Sequence, residues 1–267
     1  MDVEQLKVQQ FYDNYGWTER NGRTVDAQLF GDREIGPIRE AGQRYRWLRI
    51  RRALGGPGLR LLECGCGGNP AVELLDLCNH YTAVDFSATG LALTNRKLQF
   101  LSIPFNLELA SVCALPFKDG EFDAVYSAHV FYHIANIEAQ RQAFEEAARV
   151  VRPGGRVVLI LANARPLLCW GRLVRRIAAD WSPTLANLAS RGPLPYNPRP
   201  IGWMRRVLEK FGTVSVRCHS LPSVWFNQHV SEFGVVGRAL WRTIGHAERH
   251  WPIARFGCFI QVDLQRH

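Results

Sequence analysis

Leu59-Arg60-Leu61-Leu62-Glu63-Cys64-Gly65-Cys66-Gly67-Gly68-Asn69-Pro70 is a short apolar run that ends in a carboxylate and enters a glycine-rich turn. Gly65, Gly67 and Gly68 permit backbone angles and close approaches that a side chain forbids, so a ligand can come near this backbone. Pro70 suits the first turn of a helix. Glu73 complements the positive end of its dipole, and Val72, Leu74, Leu75 and Leu77 supply an apolar face. Strand, glycine turn and helix together open a nucleotide-binding α/β fold, an opening that several ligands use. The dinucleotide fingerprint wants a third glycine three positions after Gly67, and Pro70 stands there. Glu63 at the mouth of the turn repels a pyrophosphate and welcomes a ligand that carries an ammonium group.

A second apolar run, Tyr81-Thr82-Ala83-Val84-Asp85, also ends in an acid, 22 positions beyond Glu63. That spacing fits one strand-helix-strand crossover, which brings Asp85 to the same carboxyl edge of the sheet as the turn. A carboxylate there can accept both hydroxyls of a ribose. The alternative, a cap for the helix from Ser87 to Leu98, is a role that Ser87 fills better. Phe86, next in line, is positioned to pack on an adenine face.

Glu63-x-Gly65-x-Gly67 resembles the first motif of the class I S-adenosylmethionine-dependent methyltransferases. Tyr81 to Asp85, then Leu115-Pro116-Phe117-Lys118-Asp119-Gly120-Glu121-Phe122-Asp123, then Arg152-Pro153-Gly154-Gly155 follow in that family's order, and the likeness is greatest to its small-molecule (type 11) branch. The resemblance covers Leu61 to Leu161. It implies a Rossmann-like sheet of seven strands with helices on both faces and an antiparallel last strand. It also implies S-adenosylmethionine as cofactor, bound by Glu63, Gly65, Cys66, Gly67, Asp85, Phe86, Ser111, Val112, Ser127 and Ala128. Ser111 departs from the family, which often has an aspartate there to accept from the adenine amino group; serine accepts more weakly, leaving the Val112 backbone and apolar packing to hold the base. Ser127-Ala128-His129, after the fourth strand Asp123 to Ser127, lies where the methyl group is presented.

A chain of 267 residues with 47% hydrophobic content exceeds what a minimal α/β nucleotide fold requires. Residues 1–58 read as an N-terminal arm of helices joined by a loop. Phe11-Tyr12-Asp13-Asn14-Tyr15-Gly16-Trp17 is either a plug that packs the arm onto the core or a lid over cofactor and substrate. Arg39 to Leu54 reads as a basic helix from which Arg44 or Arg46 can reach the cofactor's carboxylate. Residues 59–267 form the methyltransferase domain. Within it, 162–212 reads as a pocket-shaping insertion between the fifth strand, Val157 to Leu161, and the sixth, Thr213 to His219; Cys258 to Leu264 is the last strand. The insertion's interleaved arginines and aromatics leave peripheral membrane contact open and hint at a bulky, anionic acceptor.

No apolar run is long enough to cross a bilayer, the start is not a secretory signal, and the seven scattered cysteines suit a reducing cytoplasm. The net charge of +9 speaks to partners rather than to fold, and most of the arginines read as solvated helix faces. The oligomeric state is not assigned. Cys64-x-Cys66 lacks the second clustered pair that a tetrahedral metal site needs, and no metal is expected.

Methyl transfer from a sulfonium requires a nucleophile held in line with the methyl group. Where that nucleophile is a hydroxyl or an acidic carbon, a base helps, and His129 is the first candidate, ahead of Tyr12 and Tyr15. His133, in Tyr132-His133-Ile134, matches a histidine common in the family, for which the resemblance implies a structural or cofactor-adjacent role. The acceptor expected is a small molecule methylated at oxygen, nitrogen or carbon. A macromolecular acceptor (RNA or protein) is the rival, against which Ser127-Ala128-His129-Val130 stands in place of an Asn/Asp-Pro-Pro-Tyr motif. A non-catalytic cofactor-binding subunit is the third reading.

Overall fold

The computed structural model describes residues 3–20, 23–26, 37–166, 194–221, 234–250, 253–254 and 256–267. The N-terminal arm comprises α1 (Val3–Asn14), a hairpin of β1 (Trp17–Arg20) and β2 (Arg23–Asp26), and α2 (Pro37–Leu54). The hairpin lies where a loop is expected from the sequence: Thr18, Thr24 and Val25 alternate with charged residues, a two-stranded signal too brief to stand out.

Seven strands make one mixed sheet: β3 (Leu59–Cys64), β4 (Cys78–Asp85), β5 (Phe105–Leu109), β6 (Phe122–Ala128), β7 (Val151–Ala162), β8 (Gly212–Ser220) and β9 (Phe259–Arg266). Their order is β5-β4-β3-β6-β7-β9-β8. β3 to β7 run parallel, and β9 lies antiparallel between β7 and β8, as the resemblance implies. β3 and β6 are adjacent although β4 and β5 separate them in the chain, so the strand order reverses beside the glycine turn. In open α/β sheets, ligands bind at such a switch point.

Both faces of the sheet are covered. Leu61, Tyr81, Ala83, Val158 and Ile160 point into a core with α2 and α3 (Ala88–Leu98). Leu62, Val84, Val125, Leu159 and Leu161 point into the opposite core with α4 (Ile137–Arg149) and α5 (Ile201–Leu208), where Phe144 is 1% exposed. Alternation along β3 therefore sends Glu63 to the α2 and α3 face, together with Tyr81. A last helix, α6 (Gly234–His250), packs on α2 and β8.

Two local expectations change. The helix expected after Pro70 is a 3₁₀ helix of six residues, Val72–Leu77, leading directly into β4. The chain must retrace the length of β3, about 20 Å. Six residues advance about 12 Å in a 3₁₀ helix against about 9 Å in an α-helix, so the tighter helix spans more of that path. Arg152-Pro153-Gly154-Gly155, expected as the turn into the fifth strand, is instead an excursion within β7: Phe122 pairs with Val151, and Ala124 already pairs with Arg156.

Candidate active site

The glycine turn is fixed from below by β4. Gly65 donates to the Val84 carbonyl at 2.7 Å, and Gly67 donates to Asp85 Oδ2 at 2.7 Å. Asp85 Oδ1 accepts from the Ser87 N–H at 2.9 Å, while Ser87 Oγ caps α3 by accepting from Gly90. Ser87 thus caps α3, as the sequence suggests. Gly65 and Gly67 have φ of 75° and 51°. A Cβ would stand 2.2 Å from Val130 at the first and 2.2 Å from the Trp17 ring at the second, so only glycine fits either place. Asp85 is 5% exposed, and burial lifts its carboxyl to about 6.

Glu63 lies beneath the turn. Its Oε2 accepts from the Ala71 N–H at 2.9 Å and from the Tyr81 hydroxyl, and burial pushes its carboxyl up to about 7 against these bonds. Sequence reading missed Tyr81 as its partner, although the period of β4 puts Tyr81 on the same face. Cys64 and Cys66 are buried with their thiols pushed up, and among the described residues no cluster of His, Cys, Asp or Glu could hold a metal.

At the adenine side expected from the sequence, Phe86 is half-buried and Val112 joins the core, while Ser111 Oγ accepts from the Cys113 N–H at 3.2 Å. The arm reaches this side. Gln9 donates to the Phe86 carbonyl at 2.8 Å, and Asp13 accepts from the Ser87 hydroxyl at 2.6 Å. The Trp17 ring rests on Gly67 and Gly68, with Tyr12 5.4 Å from it and 6.4 Å from Phe86. Tyr12 therefore joins the aromatic group over the turn, whereas Tyr15 is 72% exposed and stands apart.

At the end of β6, the Ser127 hydroxyl donates to the Cys64 carbonyl at 2.7 Å, tying the presenting edge to the start of the turn. Ala128 follows, half-buried, and His129 then takes a φ of 64°, the one described non-glycine residue in the left-handed region. Such strain gathers at working sites. His129 Nδ1 is 3.0 Å from the Tyr132 hydroxyl, and its ring stands edge-on to Phe259 at 4.9 Å. Burial, then His133 and Arg46, lower its pKa to about 4, so the imidazole is neutral near pH 7. His133 is held by the Pro195 carbonyl at 2.7 Å, in keeping with a structural role.

Arg46 is not turned toward the glycine turn. It pairs in bidentate fashion with Glu248 of α6, at 2.7 Å and 3.1 Å, which corrects the expectation that it reaches the cofactor; Arg44 is exposed. Arg49, His219 and Glu248 were not singled out in the sequence, because partners as far apart as Arg46 and Glu248 leave no local pattern.

A sulfonium nucleoside fits the residues present. Gly65, Gly67 and Gly68 admit close approach to their backbone, which Val130 and Trp17 already make, and each Asp85 oxygen, bonded to one N–H, keeps a lone pair for a hydroxyl donor. Residues 62–159 match the family model described as a methyltransferase domain, type 11. Among curated proteins, the chain is 32% identical over 154 residues to a demethylmenaquinone methyltransferase of Thermus thermophilus, covering 56% of this chain and 69% of that protein. It is 30% identical over 131 residues to the O-methyltransferase rstn1 of Aspergillus nomiae, covering 45% of this chain and 51% of that protein. The chain thus spans about half to two-thirds of the length of these relatives. A solved geranyl diphosphate C-methyltransferase of Streptomyces coelicolor superposes with a TM-score of 0.60 at 16% identity, covering 100% of this chain and 98% of that one, a likeness of fold. Sequence match, strand order and the geometry of the turn agree, and the chain belongs to the type 11 branch of the class I S-adenosylmethionine-dependent methyltransferases.

Proposed function

We propose that this chain moves a methyl group from S-adenosylmethionine to an oxygen, nitrogen or carbon nucleophile of a small-molecule acceptor of natural-product or lipid-like size. The observation that carries this reading is the Gly67 N–H bond to Asp85 Oδ2, 2.7 Å, on the same carboxyl edge of the sheet as the strained His129. The names of the relatives, a demethylmenaquinone methyltransferase and an O-methyltransferase, support an acceptor of this class.

In this reading Asp85 accepts the ribose hydroxyls, Gly65 to Gly67 let the cofactor lie on the backbone, and Phe86 and Val112 pack about the adenine with Ser111 as a polar contact. The cofactor supplies a methyl group already activated by positive sulfur, so the chain's task is to place the nucleophile and to accept its proton. His129, neutral near pH 7, takes that proton from an acceptor that is itself acidic, since a weak base deprotonates only a ready donor. The arm, residues 1–58, serves as the lid, supported by Trp17 on the turn and by the Asp13 bond to Ser87. Residues 162–212 shape the acceptor pocket; 167–193 of these, with Arg172, Arg175 and Arg176, lie outside the described residues.

The test is a screen of phenolic, quinol and lipid-like acceptors with methyl-labelled cofactor, beside calorimetry with S-adenosylhomocysteine. Uptake of the nucleoside and label in a small product are expected, and no uptake would overturn the reading. Once an acceptor is known, single-turnover methylation by His129→Gln is expected to fall about a hundredfold, the size of effect usual for a positioned base. A near-normal rate across pH would remove His129 from that role.

A further inference from the structure

β8 carries a bulge on the acceptor side of the edge: Cys218 pairs with Ile260 and Ser220 with Phe259, so His219 is the extra residue. Bulges beside active sites re-aim a side chain. His219 lies one strand from Phe259, whose ring packs on His129. Its Nδ1 is buried and has no hydrogen-bond partner among the described residues.

Arg49, 8% exposed, grips the same bulge. Its Nη1 donates to the Cys218 carbonyl at 2.9 Å and its Nη2 to the His219 carbonyl at 3.1 Å. The buried Nε–H has no partner among the described residues. In a planar guanidinium, Nε–H and Nη2 share one side of the fork, so the unused donor lies on the side of His219.

The charges around these atoms do not balance. Among the described residues Glu248 and Asp263 are the carboxylates that act on Arg49, and Arg46 holds Glu248 in a bidentate pair. Asp263 is paired with Arg217 at 3.0 Å. The Cys218 thiol is pushed up to about 12 by burial and is neutral, Tyr45 lies under the Arg49 guanidinium at 5.2 Å, and burial keeps His129 and His133 neutral as well. Among the described residues, each carboxylate that reaches Arg49 is shared with a second arginine and the Arg49 Nε–H has no acceptor, a state that a ligand can complete.

We propose that Arg49 and His219 form the subsite that selects the methyl acceptor, binding an anionic oxygen of that molecule (a phenolate, enolate or carboxylate) through Arg49 Nε–H and His219 Nδ1–H. The inference rests on the reading of the chain as a small-molecule methyltransferase and deepens it by naming the acceptor's chemical class. Burial first, then Arg46 and Arg49, favour the neutral imidazole at His219, which then serves as a donor without competing for charge.

The experiment uses the full chain loaded with S-adenosylhomocysteine. The probe is 4-nitrophenol below its own pKa, where its visible band reports the anion directly; benzoate is the carboxylate arm and 4-nitroanisole the neutral control. Binding of 4-nitrophenol as the phenolate is expected, with no binding of 4-nitroanisole. His219→Phe and Arg49→Lys are each expected to weaken anion binding about tenfold or more and to abolish the rise of the visible band, while His219→Gln, which keeps a donor, retains most of it. S-adenosylhomocysteine affinity is measured in every variant. If Arg49→Lys loses it through misfolding, the His219 pair carries the test.

Binding of the neutral form, no binding of either anion, or equal anion binding by His219→Phe overturns the subsite while leaving the methyltransferase reading intact. Failure of the wild type to bind S-adenosylhomocysteine overturns that reading instead.

Discussion

The two halves of the sheet's carboxyl edge are built on different plans. Around β3 and β4, the polar groups close on the backbone: both Asp85 oxygens hold an N–H, Thr94 donates to the Gly67 carbonyl at 2.7 Å, and Glu63 braces Ala71. Around β6, β8 and β9, Arg49 Nε and His219 Nδ1 have no partner among the described residues, as Trp17 Nε1 has none over the turn, and His129 keeps a strained backbone. The first half makes one fixed shape, as a common cofactor requires. On the proposed reading, the second holds polar capacity in reserve for the methyl acceptor. Satisfied networks rigidify and unsatisfied ones await a partner.

The largest effect separating the halves is a dependence of stability on pH that originates under the turn. The Glu63 carboxyl rises from its ordinary 4.5 to about 7, so between those values the folded chain binds more protons than the unfolded one. Stability from this group is therefore full below about pH 4.5 and lost as pH rises through about 7, a change of about 3 kcal/mol over that window. Denaturant melts of Glu63→Gln from acid to neutral pH should show a slope flatter by that amount, because the amide oxygen can still accept from Ala71 and Tyr81. Tyr81→Phe removes a bond that favours the charged form, so its slope should extend to higher pH. An unchanged slope in Glu63→Gln would mean that the carboxylate is hydrated and the turn more open than described.

Next in size is Asp85→Asn. An amide in place of the carboxylate sets an NH₂ against either the Gly67 or the Ser87 N–H and removes the charge-assisted bonds. S-adenosylhomocysteine affinity measured by calorimetry should drop about a hundredfold, equivalent to about 2.7 kcal/mol. Substitutions at His219 should leave that affinity alone. If both sites altered cofactor binding equally, the division of the edge into a cofactor half and an acceptor half would fail.

This division also explains what the sequence disclosed. Glu63, the glycines, Asp85 and Ser87 belong to one crossover, where spacing and turn chemistry are local, and the strand order followed from their resemblance to a family. The 3₁₀ helix after Pro70 was not legible, because its leucines suit either helix and only the length of β3 decides between them. Arg46 and Arg49 read as surface arginines on a basic helix. Their actual neighbours, Glu248 and the carbonyls of Cys218 and His219, lie 202, 169 and 170 positions away, so no periodicity could bring them together.

The smallest effect concerns the arm, which spans the boundary between the halves. Asp13 accepts from the Ser87 hydroxyl and caps the approach to Thr89, whose hydroxyl donates to the Asp13 carbonyl at 3.0 Å. These bonds hold α1 at the start of α3 and with it Trp17 over Gly67. Asp13→Ala removes the side-chain bond while Ser87 still caps α3 through Gly90, so the cost should be local, about 1 kcal/mol. Global melts should move little, whereas proteolysis within residues 3–20 should accelerate about fivefold, as a loss of that size implies. If the arm is the lid, release of S-adenosylhomocysteine should quicken by a similar factor. If the arm is only packing, proteolysis should quicken and the off-rate should not, and that contrast separates a closing segment from a plug.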